Sequence, residues 1–109
     1  MIAFEVKLNG TRVCLAGAAD LRVLSAHVTA SGKLGKKTVS SYSEEQYDAF
    51  YSVGGLTSRK APTTDVHVRW KSTAPLQLGD VIEVQIMDVT KADRPKSRKK
   101  ATKSPKKPK

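Results

Sequence analysis

The sequence predicts an all-β domain, a small sandwich or partly open barrel of six to seven short strands, followed by a disordered basic C-terminal tail. Three observations predict it. Apolar residues recur with period two in short runs, and Gly, Pro, Asn and Asp turn signals separate those runs. The last 19 residues contain no Val, Ile, Leu, Phe, Tyr or Trp. A chain of 109 residues has room for one small core, so the division expected is a β domain over 1–90 and a tail over 91–109.

The first run is the plainest. Ile2, Phe4, Val6 and Leu8 alternate with Ala3, Glu5 and Lys7, and Asn9-Gly10 follows, the dipeptide best suited to a type I′ hairpin turn. A two-residue turn pairs Leu8 with Thr11, Val6 with Val13 and Phe4 with Leu15, all on one face. The opposite face then carries Glu5, Lys7, Arg12 and Cys14, with Lys7 and Arg12 as cross-strand neighbours. Gly17–Leu21 reads as a connection. In the next strand Leu24, Ala26 and Val28 share one face, while Ser25, His27 and Thr29 share the other. Ser31–Lys37 reads as a flexible basic loop.

Residues 38–56 admit two readings. Ser43 and Gln46 have capping-box spacing, with Tyr47, Phe50 and Tyr51 on one helical face. The reading preferred is a strand over 38–42, a helical turn at 44–48 and a strand over 49–53. Gly54-Gly55 should end that strand, and a polar loop follows. Val66, Val68 and Trp70 then point inward, with His67 and Arg69 outward. Gly79-Asp80 makes a turn, and Ile82, Val84 and Ile86 form the most apolar row in the chain.

The charge is uneven. The chain carries a net +10. Residues 1–90 are nearly neutral, with ten basic side chains against nine acidic ones. Residues 91–109 hold Lys91, Arg94, Lys96, Arg98, Lys99, Lys100, Lys103, Lys106, Lys107 and Lys109 against Asp93 alone. With nothing apolar to bury, and like charges repelling, this segment is expected to stay disordered. Ten cations in one segment form a polyvalent counter-ion whose natural target is a phosphate backbone. Six phosphate contacts on duplex DNA would give a log–log salt slope of about −5.

Within the tail, Ala101–Lys109 contains Ser104-Pro105-Lys106-Lys107, which resembles the Ser-Pro-Lys-Lys elements of linker-histone tails. The resemblance implies backbone neutralisation by Lys103, Lys106, Lys107 and Lys109. The domain shows no winged-helix pattern, so the resemblance ends with the tail.

Other chemistry is poorly supplied. One cysteine excludes an internal disulfide and a multi-Cys zinc module. Cys14, His27 and His67 all fall in the wet phase, so a thiol–histidine pair is the remaining enzymatic possibility. No pair among them has zinc-ligand spacing. Ser31–Lys37 ends in Gly-Lys-Lys, lacks the spacing of a phosphate loop and is followed by no clear helix. Trp70 reads as core. Tyr42, Tyr47 and Tyr51 are candidate stacking platforms without the basic–aromatic pattern of a base-reading sheet.

The function expected is therefore a non-enzymatic nucleic-acid-binding protein, with DNA or RNA as partner and no strong sequence preference. No metal, cofactor or small-molecule substrate is called for. The ten tail cations would make the contacts, with Lys7, Arg12, Lys33, Lys36, Lys37 and Arg69 as an accessory surface. The alternative is a protein-interaction or self-associating module, using an open β edge or a face carrying Lys7, Arg12 and His67. No apolar run is long enough for a membrane helix, and the N-terminus lacks the basic and apolar segments of a secretory signal, so a cytoplasmic location is expected.

Overall fold

A computed structural model describes residues 1–38, 47–57 and 66–100. Among these residues the chain is all-β, with seven strands in two antiparallel sheets. No helix there is long and apolar enough to cross a membrane. Sheet A has the order β2-β1-β6, formed by β1 (Ile2–Leu8), β2 (Thr11–Ala16) and β6 (Ile82–Asp88). Sheet B has the order β3-β4-β5-β7, formed by β3 (Leu21–Gly32), β4 (Tyr47–Thr57), β5 (Val66–Leu76) and β7 (Ser97–Lys100). The sheets face each other across a core of Val6, Cys14 and Ala16 from sheet A and Val53, Val68 and Trp70 from sheet B. The architecture is an open sandwich.

The β1–β2 hairpin turns where expected. Asn9 and Gly10 both take positive φ, 52° and 84°, as a type I′ turn requires. The Asn9 side chain does more than turn the chain. Its Nδ2 donates to Asp80 Oδ1 at 3.0 Å, and its Oδ1 accepts from the Val81 backbone at 2.8 Å. One hairpin tip is thereby tied to the turn that launches β6.

The expected register fails one residue beyond Lys7–Arg12. Val13 is an extra residue on β2, so Val6 lies opposite Cys14 and Phe4 opposite Ala16. This bulge inverts the phase of the rest of β2. Cys14 is therefore buried, 5% exposed, instead of solvent-facing.

Gly54 and Gly55 do not end a strand; β4 runs through both. A Cβ at Gly54 would lie 2.7 Å from the Val68 carbonyl oxygen, and one at Gly55 would overlap that of Val23. The missing side chains let β4 sit tightly between its neighbours. The expected strand over 38–42, most of the helical turn at 44–48, Tyr42 and most of the 57–65 loop lie outside the described residues.

The largest departure is at the C-terminus. Residues 91–100, expected to begin a disordered tail, belong to the fold. Asp93 forms a parallel bridge with Ala16, its carboxylate accepts from the Leu15 backbone at 2.8 Å, and its carbonyl accepts from Trp70 Nε1 at 2.8 Å. Lys96 then donates its backbone N–H to the Arg69 carbonyl, and β7 pairs with β5. A strand without an apolar residue is held by backbone bonds and by an anchor four residues upstream.

The apolar row of β6 is also not core in the way its composition suggests. Ile82 packs at the core margin, but Val84 is 41% exposed and Ile86 69% exposed. Val28, in the inward phase of β3, is exposed as well. The two sheets overlap over only part of their inner faces.

Candidate nucleic-acid interface

The outer face of sheet B gathers the solvent-facing residues of four strands. Alternation along β3 puts Ser25 and His27 outward, along β4 Ser52 and Gly54, and along β5 His67 and Arg69. Cross-strand register then makes neighbours of residues far apart in sequence. His27 lies opposite Ser52, Gly54 opposite Arg69 and Leu56 opposite His67. The pairing of β5 with β7 adds Lys99 opposite His67 and Ser97 opposite Arg69.

Two shallow grooves result. Ser25, His27, Ser52, Gly54, His67 and Arg69 line most of the first. The second shares His67 and Arg69 and is completed by Ser72, Thr73, Ser97 and Lys99. Among the described residues, no carboxylate lines either groove. The floor at Gly54 is bare backbone, and the walls offer hydroxyls beside a guanidinium, an ammonium and two imidazoles, with Val23 and Leu56 adding apolar wall to the first groove. Ser25 Oγ donates to the Gly54 carbonyl at 3.4 Å, which holds the first groove's rim in register. This is a surface suited to phosphate oxygens: cations for charge, hydroxyls for hydrogen bonds and a floor that allows close approach.

The other expected cations are placed elsewhere. Lys7 and Arg12 are cross-strand neighbours, but on the outer face of sheet A, the opposite side of the sandwich from His67. The expected face carrying Lys7, Arg12 and His67 therefore does not exist. Glu5 sits with the two cations, 3.8 Å from Lys7 Nζ and 3.8 Å from Arg12 Nε, so their charges are offset locally. Lys33, Lys36 and Lys37 lie beyond the Gly32 end of β3, about 17 Å along the strand from His27 at 3.3 Å per residue. Lys91, Arg94 and Lys96 are exposed along the connection to β7. Arg98 faces the other side of sheet B and donates to Asp20 at 3.3 Å. Lys100 ends β7, and Lys103, Lys106, Lys107 and Lys109 lie outside the described residues.

Cys14 does not join the histidines. It lies in the core beneath sheet A, while His27 and His67 are exposed on the far side of sheet B. Burial, followed by the nearby Asp93 carboxylate, pushes the thiol above its ordinary value, the reverse of an activated nucleophile. Among the described residues no group of three His, Cys, Asp or Glu is arranged to hold a metal ion. Tyr51 is buried, so it offers no stacking platform; Tyr47 is exposed.

Sequence reasoning weighed His27 only for thiol or metal chemistry and passed over Ser25, Ser52 and Ser97. Their signal was the wet phase of each strand, but the order of strands was needed to join them. Compared with protein-family models, with curated proteins and with solved structures, the chain matches none of them.

Proposed function

We propose that this protein is a non-enzymatic nucleic-acid-binding protein that contacts phosphate backbones without strong sequence preference. One observation supports the reading: β7 brings Lys99 beside His67 and Arg69, and the sequence that follows carries Lys103, Lys106, Lys107 and Lys109. The cations of this face are thereby followed in the sequence by four more lysines within ten residues of Lys99. The hydroxyls and the bare floor supply backbone contacts, whereas among the described residues no row of exposed aromatics lies on the face to read bases.

The test is a salt series. Anisotropy of labelled duplex DNA and single-stranded RNA is measured with the native chain and with a full-length variant carrying Gln at 103, 106, 107 and 109. If all four lysines meet duplex phosphates, the log–log salt slope falls by about 3.6. Competitors of unrelated sequence should displace the probe equally. An unchanged slope and affinity would remove the C-terminal lysines from the interface, and with them the proposal.

A further inference from the structure

We infer that β6 is a self-association edge, and that its occupant is the β6 strand of a second copy of this chain. The inference is independent of how the basic face of sheet B is used. Among the described residues, β6 is bonded on one side only in sheet A. Val89 N donates to the Met1 carbonyl and Asn9 N to the Val81 carbonyl, so odd-numbered residues exchange hydrogen bonds with β1. The N–H and C=O groups of Ile82, Val84, Ile86 and Asp88 therefore point to the free edge.

That edge lacks the usual protection. Ile82–Asp88 contains no Lys, Arg or Pro, and its two charges are Glu83, on the face opposite the aliphatic row, and Asp88 at its end. Its inward row is aliphatic and open, with Val84 and Ile86 exposed beside Ile2, itself 58% exposed. By contrast β3, one of the two end strands of sheet B among the described residues, carries Arg22 and His27.

The strand is also complementary to itself. An antiparallel pair with its twofold axis at Val84 sets Val84 against Val84 of the second copy and Ile82 against Ile86. It sets Glu83 against Gln85 and Val81 against Met87, and the one like-charged pairing it makes is Asp88, at the end of the strand, with Asp80. The residues whose backbone groups point outward become the hydrogen-bonded pairs. Sheet A becomes six strands long, and the two aliphatic rows shield each other. In that pairing each carboxylate already has a partner, Asp80 in Asn9 and Gln77, and Asp88 in the N-terminal ammonium.

Sedimentation equilibrium of the full chain, without nucleic acid, tests this. The native chain should show a monomer–dimer equilibrium. Ile86→Lys, at a position too exposed to be needed for folding, should weaken it at least about tenfold, because each dimer carries the change twice. Val84→Cys should form an intermolecular disulfide under mild oxidation, since the twofold axis brings the two Cα atoms to about 5.5 Å. Gln85→Cys, which points to the opposite face, should not. A monomer at every concentration, a dimer indifferent to Ile86→Lys, or cross-linking through Gln85→Cys in place of Val84→Cys would overturn the inference.

Discussion

The two outer faces of this sandwich carry similar numbers of cations and differ in what stands beside them. On sheet A, Lys7 and Arg12 flank Glu5, and Glu83 lies opposite Lys7 across the β1–β6 pair. On sheet B, His67, Arg69 and Lys99 stand among serines, glycine backbone and the apolar Val23 and Leu56, with no carboxylate among the described residues that line either groove. A basic residue count does not make a polyanion site. Register does, by deciding whether an acid is built in beside each base.

The largest way to break this comparison is to remove what holds β7 against β5. Trp70 is buried, and its indole N–H is donated to the Asp93 carbonyl. Trp70→Ala should destabilise the fold by about 3–5 kcal/mol, as for other buried aromatics. Trp70→Phe keeps most of the volume, loses the hydrogen bond and should cost about 1 kcal/mol. Urea unfolding of the two variants measures both. A Trp70→Phe variant as unstable as Trp70→Ala would mean that the hydrogen bond to the connection, more than the packing, holds sheet B closed.

The next test reverses charge on one face at a time. Arg69→Glu with Lys99→Glu should weaken DNA binding by roughly tenfold or more and lower the salt slope by about 1.8, for two lost phosphate contacts. Lys7→Glu with Arg12→Glu makes the same change in net charge on sheet A. It should weaken binding far less, because those cations are already offset by Glu5. Equal losses from the two pairs would mean that only total charge matters.

Where sequence reasoning succeeded, local chemistry decided the outcome. Asn9-Gly10 fixed its own turn, and Val66, Val68 and Trp70 alternated into the core without help from distant residues. It failed where distant residues decide. The β2 bulge at Val13 carries no sequence mark, yet it exchanged the fates of Cys14 and Leu15. β7 has no apolar residue and was invisible to any burial argument; Asp93, the sole acid among the last nineteen residues, was its only trace. The row Ile82, Val84, Ile86 reads as core in any strand, because exposure depends on how far the second sheet reaches. Likewise Ser25, His27, His67 and Arg69 were assigned outward correctly, but Ser52 had no phase, Ser97 and Lys99 were expected in the tail, and the face itself needed the order β3-β4-β5-β7.

The smallest effects expected are pH dependences, and they limit stability at opposite ends of the range. Asp80 accepts from the Gln77 backbone at 2.7 Å and from Asn9, which holds its carboxyl below the usual carboxylate range. A depressed folded value stabilises the fold above the unfolded aspartate value of about 3.9, and that contribution is lost as pH falls through the folded value. Cys14 and Tyr51 act in the other sense. Burial raises both, so the folded chain keeps its thiol proton after the unfolded chain has begun to lose it, near pH 8.5. Stability should therefore decline as pH rises past that point, with Tyr51 extending the decline at higher pH. Urea midpoints across a pH series measure both limbs. Asp80→Asn should flatten only the acid limb and Cys14→Ala only the first part of the alkaline one. An alkaline limb unchanged in Cys14→Ala would place the titrating group elsewhere and leave the core thiol without an energetic role.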